Sequence, residues 1–191
     1  MIAGTLVFLI DTACSLFTLA LLLRFYLQWA RAPYRHPLSD FLQALTDFAV
    51  RPARRLIPGL WGLDFPTLTL AWVTQLIELW LVLELRGHEF DAAVGAAIGA
   101  LFLLAFVKVL KLLVYVIMVS VLVQAVLTWV APYSPVMPLL NSMARPWLRF
   151  FQRFIPPVGN VDLSPLFVVI ICQLILMLPL AFAESAMGRL L

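Results

Sequence analysis

Four stretches of this 191-residue chain are long, apolar and almost free of charge, and they dictate what it can become. Crossing the hydrocarbon core of a bilayer takes about 20 apolar residues in a helix, because each residue advances the chain by only about 1.5 Å. Met1 to Leu23 meets that requirement with Asp11 as its sole charge, and Phe65 to Leu83 meets it with Glu78 alone. Leu112 to Ala131 and Leu163 to Ala183 carry no charged residue. The composition agrees, with 64% in the hydrophobic set, 12% charged and a mean hydropathy of +1.04. Soluble domains carry roughly 45–50% apolar and about 25% charged residues. Too few charges remain here to cover the surface of so short a soluble domain. These counts exclude a cytosolic globular enzyme, a disordered chain and a nucleic-acid binder. They predict an all-α membrane protein with four main transmembrane helices. The apolar N-terminus has no basic leader and no small-residue cleavage pattern after Leu23, so it reads as a retained first span.

The segment from Ala92 to Val107 is shorter, and it runs into Lys108 and Lys111 with no Gly or Pro at the junction. As one helix with the third span it would measure about 60 Å, about twice the core thickness. It must bend, lie partly in the interface or divide in two. Gly95 and Gly99 form a G-x-x-x-G that Ala92, Ala96 and Ala100 extend into a small-residue ridge, of the kind that lets helix backbones approach closely in lipid. The segment therefore reads as one short, tightly packed partial or tilted Gly/Ala-rich helical segment, not as a fifth span. The basic residues agree with that reading. Six fall in residues 24–64, three in 84–111, three in 132–162 and one at Arg189. With four spans both Arg-rich loops share one face, nine basic residues against four, which predicts that they are cytoplasmic and that both termini are outside.

The two Arg-rich loops are also alike. Arg55-Leu56-Ile57-Pro58 followed by Asp64 matches Arg153-Phe154-Ile155-Pro156 followed by Asp162 at an offset of 98, which also pairs Arg51 with Arg149, Pro37 with Pro135 and Gln75 with Gln173. Arg24 to Trp29 pairs with Gln124 to Trp129 at 100, and Ala32-Pro33-Tyr34 with Ala131-Pro132-Tyr133 at 99. The unit is span, amphipathic loop, span. Two spans per unit make the copies parallel, related by a pseudo-two-fold along the membrane normal. The repeats are placed at residues 1–91 and 104–191, joined by the Gly/Ala-rich segment at 92–103.

Within each loop the spacing is helical. Leu38, Phe41, Leu42, Leu45, Phe48 and Ala49 recur at three- and four-residue intervals, with Asp40, Gln43 and Asp47 opposite. Ser39 or Asp40 suits the N-cap, and Pro52 is expected to end or kink this helix or to open a second turn carrying Arg54 and Arg55. In the second copy Leu139, Leu140, Met143, Trp147, Leu148, Phe150 and Phe151 form the apolar side, beside Arg145, Arg149 and Arg153. Basic amphipathic helices with aromatics lie in the lipid interface, where anionic headgroups add ~1 kcal/mol per basic residue. Arg51, Arg54, Arg55, Arg145, Arg149 and Arg153 are thus candidate contacts for lipid or a cytoplasmic partner, besides their part in setting topology. Asp64, Asp162 and Ser164 mark helix starts, with Ser164-Pro165 offering a capping hydroxyl and a first-turn proline.

This doubled pattern, an Arg-rich run, Ile-Pro, a glycine, Asp, and Ser-Pro before a span, resembles the YggT family of bacterial membrane proteins, related to the YlmG proteins and their plastid relatives. The resemblance covers essentially the whole chain. The first copy departs from it where Asp64-Phe65-Pro66 stands for Asp-x-Ser-Pro. It implies a polytopic inner-membrane protein associated with osmotic stress and potassium homeostasis. It equally implies a scaffold or assembly factor for cell division, nucleoid placement or, in plastids, cytochrome assembly.

Charge inside a span costs ~2.5–3.5 kcal/mol on insertion scales, so intramembrane polar residues are functional candidates. Asp11 lies mid-span with Ser15 and Thr18 at helical spacing behind it, and the offset of 100 maps it onto Lys111, a potential partner. Gln75 and Glu78 occupy adjacent turns, while Ser120, Gln124 and Thr128 form an i, i+4, i+8 stripe. Facing one another, the two sets would line a narrow hydrated path; the alternative is hydrogen bonding between helices, worth ~0.6 kcal/mol each. Cys14 and Cys172 read as free thiols acting as small hydrophobes. No catalytic or nucleotide-binding motif is present, and His36 and His88 fall on opposite faces, so no enzyme activity, cofactor or metal is expected. The expected partners are anionic lipid headgroups, membrane or cytoplasmic proteins, and further copies of this chain.

Overall fold

A computed structural model describes residues 2–32, 36–57, 59, 64–87, 94–153 and 162–188. His88, Ala92, Arg189 and the residues 33–35 and 154–161 that enter the repeat comparison lie outside the described residues. The helices run α1 (Ile2–Trp29), α2 (Pro37–Leu56), α3 (Phe65–Arg86), α4 (Val94–Val130), α5 (Met137–Gln152), α6 (Ser164–Ile175) and α7 (Ala181–Gly188), with a π-helical turn, Leu176–Leu180, joining the last two. Gly4–Trp29, Phe65–Arg86, Ala97–Val130 and Ser164–Ala186 are each long and apolar enough to cross a membrane. The chain is an all-α, multi-pass membrane protein with four spans. The π-turn contains Pro179, which lacks the N–H that a regular α-helical turn requires.

The Gly/Ala-rich stretch is not a separate element. From Val94 it is the start of α4, one continuous helix of 37 residues and about 55 Å. With no proline or capping residue at Lys108, nothing in the sequence interrupts the backbone hydrogen bonding. Its small-residue ridge also divides: Ala100 is buried, whereas Gly95 and Gly99 are exposed, with open space where a Cβ would sit. In α2 the N-cap is His36, neither Ser39 nor Asp40. Its Nδ1 accepts from the Leu38 N–H at 3.2 Å, and Pro37 opens the helix at a position where its missing N–H costs nothing. Pro52 does not end α2, which continues to Leu56 and carries Arg54 and Arg55.

The long helix α4 is the spine, packing on α1, α3, α5, α6, the π-turn and α7. The largest core cluster joins both repeats near the loops and includes Tyr26, Leu42, Val121, Leu139, Met143 and Cys172. Helices α2 and α5 pack on the bundle through Leu42, Thr46 and Val50 and through Leu139, Leu140, Met143, Ala144 and Leu148. Phe41, Leu45 and Phe48 instead face outward, so the apolar side of α2 serves both bundle and surroundings. Between the repeats, the Tyr26 hydroxyl donates to the Met143 carbonyl at 2.6 Å and accepts from Trp147 Nε1 at 2.7 Å, with Trp29 stacked on the Tyr26 ring. Tyr26→Phe leaves both groups unpaired in a dry site, at a cost of about 1–3 kcal/mol. A lowered unfolding midpoint in detergent is expected, and an unchanged one would show that this contact does not join the repeats.

Candidate functional site

Polar side chains gather in two layers, one within the spans and one at the loops. In the first, Glu78 on α3 is fully buried, and Lys108 on α4 donates to its Oε1 at 2.5 Å. Gln75, one turn back, donates from Nε2 to Glu78 Oε2 at 2.7 Å and to Thr18 on α1 at 3.2 Å. Asp11 lies 4.0 Å from the same ammonium and is half exposed. Its expected partner Lys111 instead pairs with Glu184 on α7 at 2.6 Å. The mapping of Asp11 onto Lys111 fails because Lys108, one helical turn earlier, points toward α1 and α3 while Lys111 points toward α7. Two carboxylates therefore share Lys108, and α1, α3 and α4 are tied at one point.

Of the two readings of these polar sets, hydrogen bonding has the observed contacts, and the Gln75–Glu78 set makes none with the Ser120–Gln124–Thr128 stripe among the described residues. Ser120 donates to the Ile117 carbonyl in its own helix, Thr128 to the Gln124 carbonyl, and Gln124 reaches Asn141 on α5 at 3.2 Å. The stripe thus splits between its own backbone and the loop layer.

At the loops the first repeat is stitched by ion pairs. Arg24 on α1 donates to Asp47 and Thr46 on α2, each at 2.7 Å, and Arg51 holds the other Asp47 oxygen at 2.7 Å. Arg54 pairs with Asp64 at 2.5 Å, and Thr67 donates to the same carboxylate at 2.7 Å. Asp64 is the residue before α3, as its position suggests, but its side chain receives Arg54 and Thr67 in place of a backbone N–H. In the second repeat amides stand where charges stood. Gln152, the counterpart of Arg54, donates to Asp162 at 2.7 Å, and the Ser164 N–H donates to Asp162 at 2.9 Å. Ser164 is the first residue of α6 and not its cap; the carboxylate two residues earlier takes that part. Arg55, Arg145, Arg149 and Arg153 are exposed, with no acidic partner among the described residues.

Gln75, Glu78 and Asp11 stand out in the sequence, but the junction of the two carboxylates at Lys108 and the contacts of Thr46, Tyr26 and Trp147 do not. The four-residue spacing of Asp47 and Arg51 is the one readable signal of the ion-paired cluster. Breaking a buried pair leaves an uncompensated charge, costing about 3–5 kcal/mol. Lys108→Met is expected to destabilise by that order in chemical unfolding, and adding Glu78→Gln to recover much of it. Additive losses would mean that the two side chains act independently.

Burial alone would push Asp64 up, but hydrogen bonds from Arg54 and Thr67 outweigh it and hold the carboxyl below its usual value. The Arg24 hydrogen bond does the same for Asp47, and bonds from Ser164 and Gln152 overcome burial at Asp162. Each group is more acidic folded than unfolded. Its stabilisation is complete above its unfolded value, near about pH 4, and disappears as pH falls through the lowered folded value. Acidification below about pH 4 is therefore expected to lower the unfolding midpoint. Asp64→Asn should reduce stability at neutral pH and flatten that acid dependence; a variant with the wild-type acid profile would show that Asp64 contributes nothing to it.

Comparison with known proteins places this geometry in a family. The CCB3/YggT family model matches residues 3–85 and again residues 103–183, so the match is itself tandem. Protein PA0392 of Pseudomonas aeruginosa is 37% identical over 174 residues, 90% of this chain and 86% of the relative. YggT of Escherichia coli K12 is 32% identical over 173 residues, covering 90% and 87% of the two chains. A chloroplastic YlmG homolog, protein 2 of Arabidopsis thaliana, is 40% identical over 68 residues, 35% of this chain and 24% of its own. No solved structure matches. The chain belongs to the CCB3/YggT family.

Proposed function

We propose that this member of the CCB3/YggT family is a non-enzymatic scaffold of the bacterial cytoplasmic membrane that supports osmotic and potassium homeostasis. It binds anionic headgroups and acidic protein partners through its Arg-rich face. The observation that carries the reading is the state of α5. Arg145, Arg149 and Arg153 recur every four residues, exposed and without an acidic partner among the described residues, beside an apolar side that docks on the bundle. Such a helix gains ~1 kcal/mol per basic residue at an anionic surface. Arg51 and Arg54 are engaged by Asp47 and Asp64, so they support the first repeat more than they recruit. The same excess of arginine favours cytoplasmic loops. The physiological setting is the one that the family resemblance implies.

A second reading, an ion-conducting bundle, draws on Asp11 and Glu78 sharing Lys108. The scaffold reading is favoured because both Glu78 oxygens are engaged and the side chain is sealed from its surroundings. Potassium flux through proteoliposomes is expected to equal that of protein-free liposomes. In a deletion strain under osmotic and potassium stress, the wild-type chain is expected to restore growth, and Arg55→Gln/Arg145→Gln/Arg149→Gln/Arg153→Gln to fail. Flux above the blank, with growth restored by the arginine variant, would replace the scaffold by the conduit.

A further inference from the structure

The second repeat leaves open what the first repeat closes. In the first, α1 packs on α3 more extensively than any other pair of elements, and acids take up Arg24, Arg51 and Arg54. The 98-residue offset puts Arg145 in place of Asp47 and Gln152 in place of Arg54. Between α4 and α6 lies a groove of about 500 Å³, a size typical of small-molecule sites. Leu122, Val126, Trp129, Leu166 and Ile170 form its apolar walls, and Gln124 and Asp162 add polar side chains to the lining.

Two hydrogen bonds fix which stripe of α5 borders the groove. Gln124 reaches Asn141, and Gln152 reaches Asp162. Arg145, Arg149 and Gln152 follow Asn141 by four, eight and eleven residues, so all four share one helix face. Arg145 and Arg149 therefore stand between the two residues that touch the rim, exposed and without an acidic partner among the described residues.

We propose that this groove holds one anionic phospholipid of the phosphatidylglycerol type. Its phosphate sits on Arg145 and Arg149, an acyl chain lies along the apolar walls, and a headgroup hydroxyl donates to Asp162. Guanidinium groups match phosphate oxygens in charge and geometry. The rim carboxylate opposes a second anionic group but accepts from a hydroxyl. A second copy of this chain docking here through its own α5 would bring arginine against arginine. The site deepens the reading of α5 as a lipid-binding basic helix and rests on it.

The full-length protein, reconstituted in phosphatidylcholine nanodiscs with a minor share of phosphatidylglycerol, is extracted with detergent and its retained lipid weighed by mass spectrometry. Acyl-free glycerol phosphate serves as competitor. Phosphatidylglycerol is expected to be enriched, and to fall about thirty-fold in Arg145→Gln/Arg149→Gln, two basic contacts' worth. It is also expected to be lost in Ala125→Phe or Leu166→Trp, which fill the groove, and to resist the competitor, with circular dichroism showing each variant folded. Retention by the folded plug variants, retention by the arginine variant, or displacement by glycerol phosphate would each overturn the site. If a variant that has lost the lipid still restores growth under osmotic stress, the proposed function falls while the lipid site stands.

Discussion

Helices surrounded by lipid gain little from burying apolar side chains against one another, because the acyl chains outside are equally apolar. What holds this bundle in one arrangement is therefore close packing together with a small number of polar links. Lys108 is the most consequential of these. It joins Glu78 on α3 and approaches Asp11 on α1, while Lys111 one turn later joins Glu184 on α7. Two adjacent turns of α4 thus reach into both halves of the molecule. The Arg24–Asp47 and Arg54–Asp64 pairs fix α2 to the first pair of spans at the loop end, and Tyr26 joins the halves there through Met143 and Trp147.

The duplication explains why these links differ between halves. Two copies of one unit, built side by side, cannot both keep every interaction, since the inner surface of each now faces the other. The first copy satisfies its arginines internally. In the second, amides replace the charges at Gln124 and Gln152, and the arginines of α5 remain outward. One copy is braced by ion pairs, and the other leaves the arginines of α5 exposed.

Much of this was legible in the sequence. Four spans follow from run length and charge alone, and the repeat from matching residues at near-constant offset. The family follows from the doubled Arg-rich motif. Both amphipathic helices follow from spacing, and Arg54 and Arg55 lie on a helical turn beyond Pro52, but the cap of α2 is His36 in place of Ser39 or Asp40, because a histidine nitrogen accepts as a hydroxyl does. The partners of Asp11 and Lys111 were not readable. A pseudo-symmetric offset aligns positions along the chain, but the pairing depends on which side of α4 each lysine leaves, and one helical turn decides that. The two readings of the polar stripe in the third span were inseparable in sequence for a related reason. Ser120 and Thr128 each had a backbone carbonyl within reach, and periodicity cannot tell a lining residue from one bonded to its own helix.

The unbroken length of α4 carries a mechanical consequence. A rod of about 55 Å is matched poorly to a hydrocarbon core of about 30 Å, and it accommodates the excess by leaning or by letting one end stand clear. With no proline or cap at its middle, it answers a thinner or thicker membrane as a single lever. Because both repeats pack on that lever, a tilt of α4 carries the two halves with it.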